Sequence, residues 1–168
     1  MEKSTIGTLL RKAGASVFFI GYLPASGTAC SAAVAVFLWL LSSRTGFFQS
    51  PGEPVYFWLG IIAVSGISFF LASGSKEIFG KEDSGRIVID EVAGQLITFM
   101  FVPITIRTLV AGFFLFRFFD IVKPFPVYCM EELDEGVGVT MDDVAAGILA
   151  NVSLLAILYV YHAIHVRL

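Results

Sequence analysis

"IVIDEVAGQLITFMFVPITIRTLVAGFFLFRFFDIV", residues 87–122, is apolar enough to lie in a bilayer, yet it carries Asp90, Glu91, Arg107, Arg117 and Asp120. As one long tilted helix it would bury several charges and send its acidic ends to opposite faces. Pro103 has no N–H to donate and disfavours helix in the residue before it, and ITIRT follows directly. The stretch therefore reads as a hairpin: one helix from about Ile87 to Val102, a turn near Arg107, and a second helix from Leu109 to Val122. At ~1.5 Å per residue, Asp90 and Glu91 lie about 20 Å from the turn on one arm. Arg117 and Asp120 lie a comparable distance along the other, so the two charged pairs end on the same side.

The rest of the chain supports a membrane setting. Its 168 residues are 57% hydrophobic and 15% charged, with a mean hydropathy of +0.83, outside the range of ordinary soluble domains. Residues 55–73 and 144–161 are uncharged runs long enough to cross a hydrocarbon core of roughly 30 Å. Residues 32–41 reach spanning length only when the helix starts near Thr28, which predicts a third, short span. With the hairpin arms these make five hydrophobic passes, at about 28–41, 55–73, 88–103, 108–122 and 144–161. The N-terminus, residues 74–90 and residues 123–143 then share a side. Lys3, Arg11, Lys12, Lys76, Lys81, Arg86, Arg117 and Lys123 fall on that side, against Arg44, Arg107 and Arg167 opposite, which makes the first side cytoplasmic. The expected fold class is all-α: a polytopic membrane bundle forming a single domain over residues 1–168, with a short helical hairpin carrying acidic motifs.

Other classes fall away. A net charge of −3 with no basic run argues against a nucleic-acid partner. Cys30 and Cys129 have no metal or redox spacing and read as reduced, buried small hydrophobes. The basic residues ahead of ASVFFIGYL imitate a secretory signal with PASGTA as its cleavage site, but Gly21 and Pro24 break the run and a second apolar run follows, so a retained segment is expected. His162 and His165 fall at the far end and read as interfacial residues.

Three acidic clusters converge on the cytoplasmic side: Asp90 and Glu91, Asp120, and Asp142 with Asp143. Ionisable residues at the ends of spanning helices are costly to keep and usually functional. Carboxylates without histidine or thiolate companions are hard oxygen donors suited to Mg²⁺ or Mn²⁺. The plainer account is helix capping, since Asp90 and Asp142 each precede a helical run. For one pair capping would suffice; three clusters beside Arg117 and Lys123 favour a site. Arg117 and Asp120, three residues apart, share a helix face, where a local ion pair is the structural alternative to phosphate binding. The acidic motifs echo each other, IDEVAGQL and MDDVAAGI, each with a small residue one turn after an acid. GYLPASGTACS, residues 21–31, is rich in small and hydroxyl residues ahead of the first span, where Thr28 and Ser31 are placed to meet an anion. No G-x-S-x-G, H-E-x-x-H or Walker A pattern occurs, and no arginine follows Cys129 to form a thiolate phosphatase loop. Metal-assisted displacement at a phosphorus centre remains.

Together GYLPASGT with Ser31, IVIDEVAG, FRFFDIVKPFP and GVGVTMDDVAAGI resemble, in order, the motifs of bacterial phosphatidylglycerophosphatase A, and they cover most of residues 21–148. The first departs from the family's A-P-G-T-x-G-S, with Ser26 for the proline and Cys30 for the glycine. The resemblance implies a multi-pass enzyme of the bacterial inner membrane that uses Mg²⁺ to hydrolyse phosphatidylglycerophosphate to phosphatidylglycerol and phosphate on the cytoplasmic side. Asp90, Glu91, Asp120, Asp142 and Asp143 are the expected metal-binding or general-base residues. Arg117 and Lys123, with Thr28 and Ser31, are the expected phosphate contacts, and the partner is a membrane phospholipid. A phosphatidyl transferase and a cation transporter are the alternatives. The first would need a D-G…A-R series that is absent, and the second would place its acids nearer the midplane.

Overall fold

The computed structural model describes residues 4–45, 55–72, 79, 85–131, 133 and 137–165. Lys3, Lys76, Lys81 and Arg167 of the charge count lie outside the described residues. The described residues form seven α-helices: α1 (Ser4–Ala15), α2 (Ser26–Thr45), α3 (Val55–Ala72), α4 (Ile89–Thr98), α5 (Ile106–Val122), α6 (Val127–Glu131) and α7 (Val137–His165), with a short 3₁₀ turn at Ile20–Tyr22. The all-α expectation holds. Helices α2, α3 and α7 are long and apolar enough to cross a membrane. At 20 residues α2 reaches ~30 Å, so the third span is full length and not short.

The hairpin is present, with different boundaries. Its first arm, α4, has only ten residues, about 15 Å, and ends at Thr98. The chain then runs without regular helix until Thr105 caps α5. Thr108 donates its N–H to Thr105 Oγ1 at 3.2 Å and its hydroxyl to Pro103 O at 2.6 Å, while Thr105 N–H returns a bond to Thr108 Oγ1 at 2.9 Å. This reciprocal box starts α5 at Ile106, so Arg107 sits in the helix's first turn and not in the loop. Non-helical backbone at membrane depth must find partners within the protein. Asn151 of α7 supplies them, its side-chain amide donating to Thr98 O at 2.9 Å and Met100 O at 2.6 Å. Of the five expected passes, three are helices long and apolar enough to span and two are the shorter arms of the hairpin. A single tilted helix over 92–119 is excluded.

Helix α4 is the centre of the bundle, packed on α2, α3, α5 and α7. Ile97, Phe99, Val102, Ile104 and Leu109 of the hairpin join Val34, Leu38, Phe57, Ile61 and Leu154 in the main core. A smaller cluster, Phe116, Val127, Ala146 and Ala150, lies nearer the charged end. The echo between the acidic motifs has a structural basis, because Gly94 and Gly147 face each other where α4 crosses α7. A methyl on Gly94 would come 2.5 Å from Asp143 O, and one on Gly147 would come 3.0 Å from Gly94 Cα. Only hydrogen fits on both sides.

At the N-terminal side, α1 packs against α3 while exposing Ile6, Leu9 and Leu10. That apolar stripe suits a helix lying in the interface plane, with Arg11 5.7 Å above the Phe70 ring. The signal-like run does not continue as helix: α1 stops at Ala15, Val17, Phe18 and Phe19 take left-handed φ of 45°, 52° and 70°, and Ala15 O accepts from Val88 N–H at 3.0 Å. His162 and His165 lie at the end of α7 remote from the acids, where His165 stacks on Tyr161.

Substituting Gly147→Ala forces α4 and α7 apart and is expected to destabilise the protein by about 1–3 kcal/mol. Gly66→Ala, where a Cβ meets nothing within 4 Å, is expected to leave the melting temperature in detergent unchanged. Thermal unfolding of the two variants side by side checks this.

Candidate functional site

Each acidic motif enters the bundle in its own way. Asp90 and Glu91 are the second and third residues of α4, and the N-cap position is taken by Val88 with no side-chain bond. Asp90 Oδ1 accepts the Glu91 N–H at 2.9 Å, so this acid does serve the first turn. Asp142 and Asp143 differ from expectation. Helix α7 begins at Val137, so they are its sixth and seventh residues and their carboxylates are not caps. Both are buried, at 7% and 5% exposure, and Asp90 at 3%. Carboxylates held this way are costly to keep charged without compensating cations.

Among the described residues two cations pair with these acids. Arg117, near the end of α5, places Nη1 2.7 Å from Asp120 Oδ2 and 3.3 Å from Glu91 Oε1. The expected local Arg117–Asp120 pair exists, and the same guanidinium also reaches across the hairpin to α4. Lys123, the left-handed C-cap of α5 with φ of 45°, places Nζ 2.8 Å from Asp142 Oδ2 and 2.6 Å from Glu131 Oε1. Partial burial disfavours its charged form, but the hydrogen bonds it donates to Asp142 and Glu131 outweigh this and hold the ammonium pKa above its ordinary value. Lys123, expected as a phosphate contact, is engaged here as an anchor for Asp142 and Glu131. Among the described residues Asp143 has no cation of its own, and it feels the charges of Asp90, Asp120, Asp142 and Glu91.

The N-terminal motif meets this cluster at one point. Gly27, in the first turn of α2, lies against the Glu91 carboxylate so closely that a side chain there would overlap it. The anion at the start of this helix is thus the protein's own, a favourable placement at the positive end of the helix dipole. Ser31, one turn on, is fully buried, and Thr28 is exposed on the outer side of the helix. The two departures from the expected motif are absorbed locally. Ser26 begins α2 and its hydroxyl donates to Gly85 O at 3.1 Å, and the Cys30 thiol, fully buried, donates to Val88 O at 3.3 Å. Both cysteines are unbridged, but Cys129 is only half-buried.

Several buried polar atoms of this region have no partner among the described residues: Glu91 Oε2, Asp143 Oδ1, Arg117 Nε, Ser31 Oγ and both amide atoms of Gln95. Unpartnered buried carboxylate oxygens are costly, and hard oxygen donors are the ligands a small divalent cation takes. The donor set therefore fits Mg²⁺ in its chemistry, although among the described residues no three acidic side chains converge in coordination geometry. Glu131, Gly27 and Gln95 were not legible as site residues. Glu131 lies in an acidic run that reads as loop, and Gly27 matters through a contact across the bundle. Gln95 alone carried a signal, falling one helical turn after Glu91.

The Lys123→Met and Asp142→Asn substitutions are expected to be non-additive, with a coupling energy of roughly 1–3 kcal/mol in a double-mutant cycle of unfolding. Because the ammonium pKa is raised on folding, this stabilisation is present below the ordinary lysine range and is lost only as pH rises through the higher folded value. Melting curves between pH 6 and 9 should show the coupling undiminished.

Comparison with known sequences follows the same residues. Residues 13–158 match the sequence model of the family described as phosphatidylglycerophosphatase A. The chain is 41% identical over 92 residues to phosphatidylglycerophosphatase A of Haemophilus influenzae, covering 54% of this chain and 56% of that one. It is 34% identical over 86 residues to phosphatidylglycerophosphatase A of Escherichia coli, 50% of each. A protein of Bacteroides thetaiotaomicron with the provisional name phosphatidylinositol-3-phosphatase is 46% identical over 80 residues, 46% of this chain and 50% of that one. The chain thus spans about half the length of the curated relatives it matches. No solved structure matches it.

Proposed function

The chain belongs to the phosphatidylglycerophosphatase A family, and from that membership we propose that it hydrolyses phosphatidylglycerophosphate to phosphatidylglycerol and inorganic phosphate on the cytoplasmic side of a bacterial inner membrane. One observation carries the reading: buried carboxylates of α4 and α7 with unpartnered oxygens lie beside an arginine held between two acids. They lie at the end of the apolar bundle where a phospholipid head group sits while its tails remain in the bilayer.

Glu91 and Asp143, whose Oε2 and Oδ1 lack partners, are the residues best suited to hold Mg²⁺, with Asp90 beside them. When bound, the cation would polarise the phosphoryl group and stabilise the charge that develops on its oxygens. Arg117 serves the same charge from the protein. Its Nη1 is fixed by Glu91 and Asp120 and its Nε has no partner, so the guanidinium is oriented before a phosphate arrives. Asp120 and Asp142 orient Arg117 and Lys123. Thr28 stands at the exposed rim of α2, with Ser31 buried behind it. In the reaction water oxygen bonds to phosphorus, the bond from phosphorus to the glycerol oxygen breaks, and a carboxylate of the cluster accepts the water proton. The departing alkoxide takes up a proton to give the lipid alcohol. Phe116, fully buried against the glycine crossing, keeps solvent from the inner side of the cluster.

The name carried by the Bacteroides relative points to a second lipid monophosphate, the 3-phosphate of phosphatidylinositol. The same cluster would serve it, because an anionic monoester is the shared chemistry. Purified protein in mixed micelles should release phosphate from phosphatidylglycerophosphate only with Mg²⁺, and faster than from phosphatidylinositol-3-phosphate. Asp143→Asn should lower turnover by about 10²–10⁴-fold while the protein remains folded in the membrane. Near-normal phosphate release by that variant removes Asp143 from the site; preference for the inositol lipid replaces the first substrate with the second.

A further inference from the structure

Helices α2 and α5 both leave the charged end of the bundle and run side by side into the apolar region, and a groove of about 310 Å³ lies between them. We propose that this groove seats an acyl chain of the lipid whose phosphate is bound at the acidic cluster, an inference that rests on the lipid-phosphatase reading above.

The walls of the groove continue the two helix faces that carry the candidate phosphate contacts. On α2, Thr28 is followed at helical spacing by Ala32, Ala35 and Trp39; on α5, Arg117 is followed in the reverse direction by Phe113 and Val110. Ala32, Ala35, Trp39, Val110, Phe113 and Phe114 all line the groove. Its floor is low because Ala32 and Ala35 are the small residues of this stripe, while Trp39 and Phe114, exposed at 44% and 65%, stand up as walls. The lined part of α2, from Ala32 to Trp39, rises about 10 Å along the axis, so the volume forms a slot along the helices. A head group bound between Thr28 and Arg117 delivers its tails to the mouth of this slot. A second groove, about 280 Å³ between α2 and α3 and lined by Gly60 and Phe57, has no such continuity, since α3 carries none of the charged or hydroxyl residues of the cluster. The two grooves are similar in volume, and of this pair the α2–α5 groove is the one that continues faces bearing the candidate phosphate contacts.

The test is turnover of dioleoyl phosphatidylglycerophosphate in mixed micelles by Ala32→Phe, Val110→Trp and Gly60→Phe. The first two fill the proposed slot from opposite walls, so a folding defect in one leaves the other to decide. Each is expected to raise KM by about 10-fold with kcat within about twofold of wild type, the signature of lost binding shared by ground and transition states. Gly60→Phe, filling the control groove, is expected to leave both unchanged. Unaltered KM in the slot variants, or an equal rise in Gly60→Phe, overturns the acyl site while wild-type turnover stands. Absence of phosphate release by the wild type would overturn the lipid-phosphatase reading itself, and the acyl site with it.

Discussion

The arrangement depends on Arg117. One guanidinium nitrogen contacts Asp120 on its own helix and Glu91 on the neighbouring arm, tying the open end of the hairpin. Without that bridge, two apolar arms would end in uncompensated carboxylates at the edge of a low-dielectric region, a costly configuration. Lys123 does the equivalent for α7 and α6 by joining Asp142 to Glu131. Of the five buried or half-buried carboxylates of the three motifs, Glu91, Asp120 and Asp142 pair with these two cations, and the excess of acids over cations is what the proposed divalent-ion site rests on.

The apolar packing places those charges. Gly94 and Gly147 let α4 and α7 touch backbone to backbone, which brings Asp143 to the level of Asp90 and Glu91. Gly112 of α5 makes similar room for the fully buried ring of Phe99 at the other end of the hairpin. The hairpin is thus fixed at both ends, by charge near its mouth and by ring packing near its turn. A short, ten-residue α4 suffices because neighbouring helices bury it on several sides.

Much of this was legible in the chain. Hydropathy located three crossings, and Pro103 with the positions of the charges separated a hairpin from a single span. The boundaries were harder. Phe99, Met100 and Phe101 are as apolar as the helix before them, so nothing local marks Thr98 as an end; the stop becomes possible because Asn151, 53 residues from Thr98, takes the freed carbonyl. The early start of α7 was hidden by Gly136 and Gly138, which weaken helix in isolation. Within it, Gly138 sits against the carbonyls of Met130, Glu131 and Leu133, a tertiary contact that leaves no space for a side chain. The carboxylates and basic residues announced themselves because charge is conspicuous in an apolar sequence. Gly27 and Glu131 did not, since their importance arises from where the fold places their neighbours.

The bonds from Asn151 to Thr98 O and Met100 O also bear on the order of assembly. Those carbonyls lie where the chain turns after α4, and in an apolar setting they would have no water to fall back on. Their donor belongs to α7, which leaves the ribosome after the hairpin has been made. The nascent hairpin therefore lacks the donor for these two carbonyls until α7 docks, so the turn after α4 and the packing of α7 are completed together.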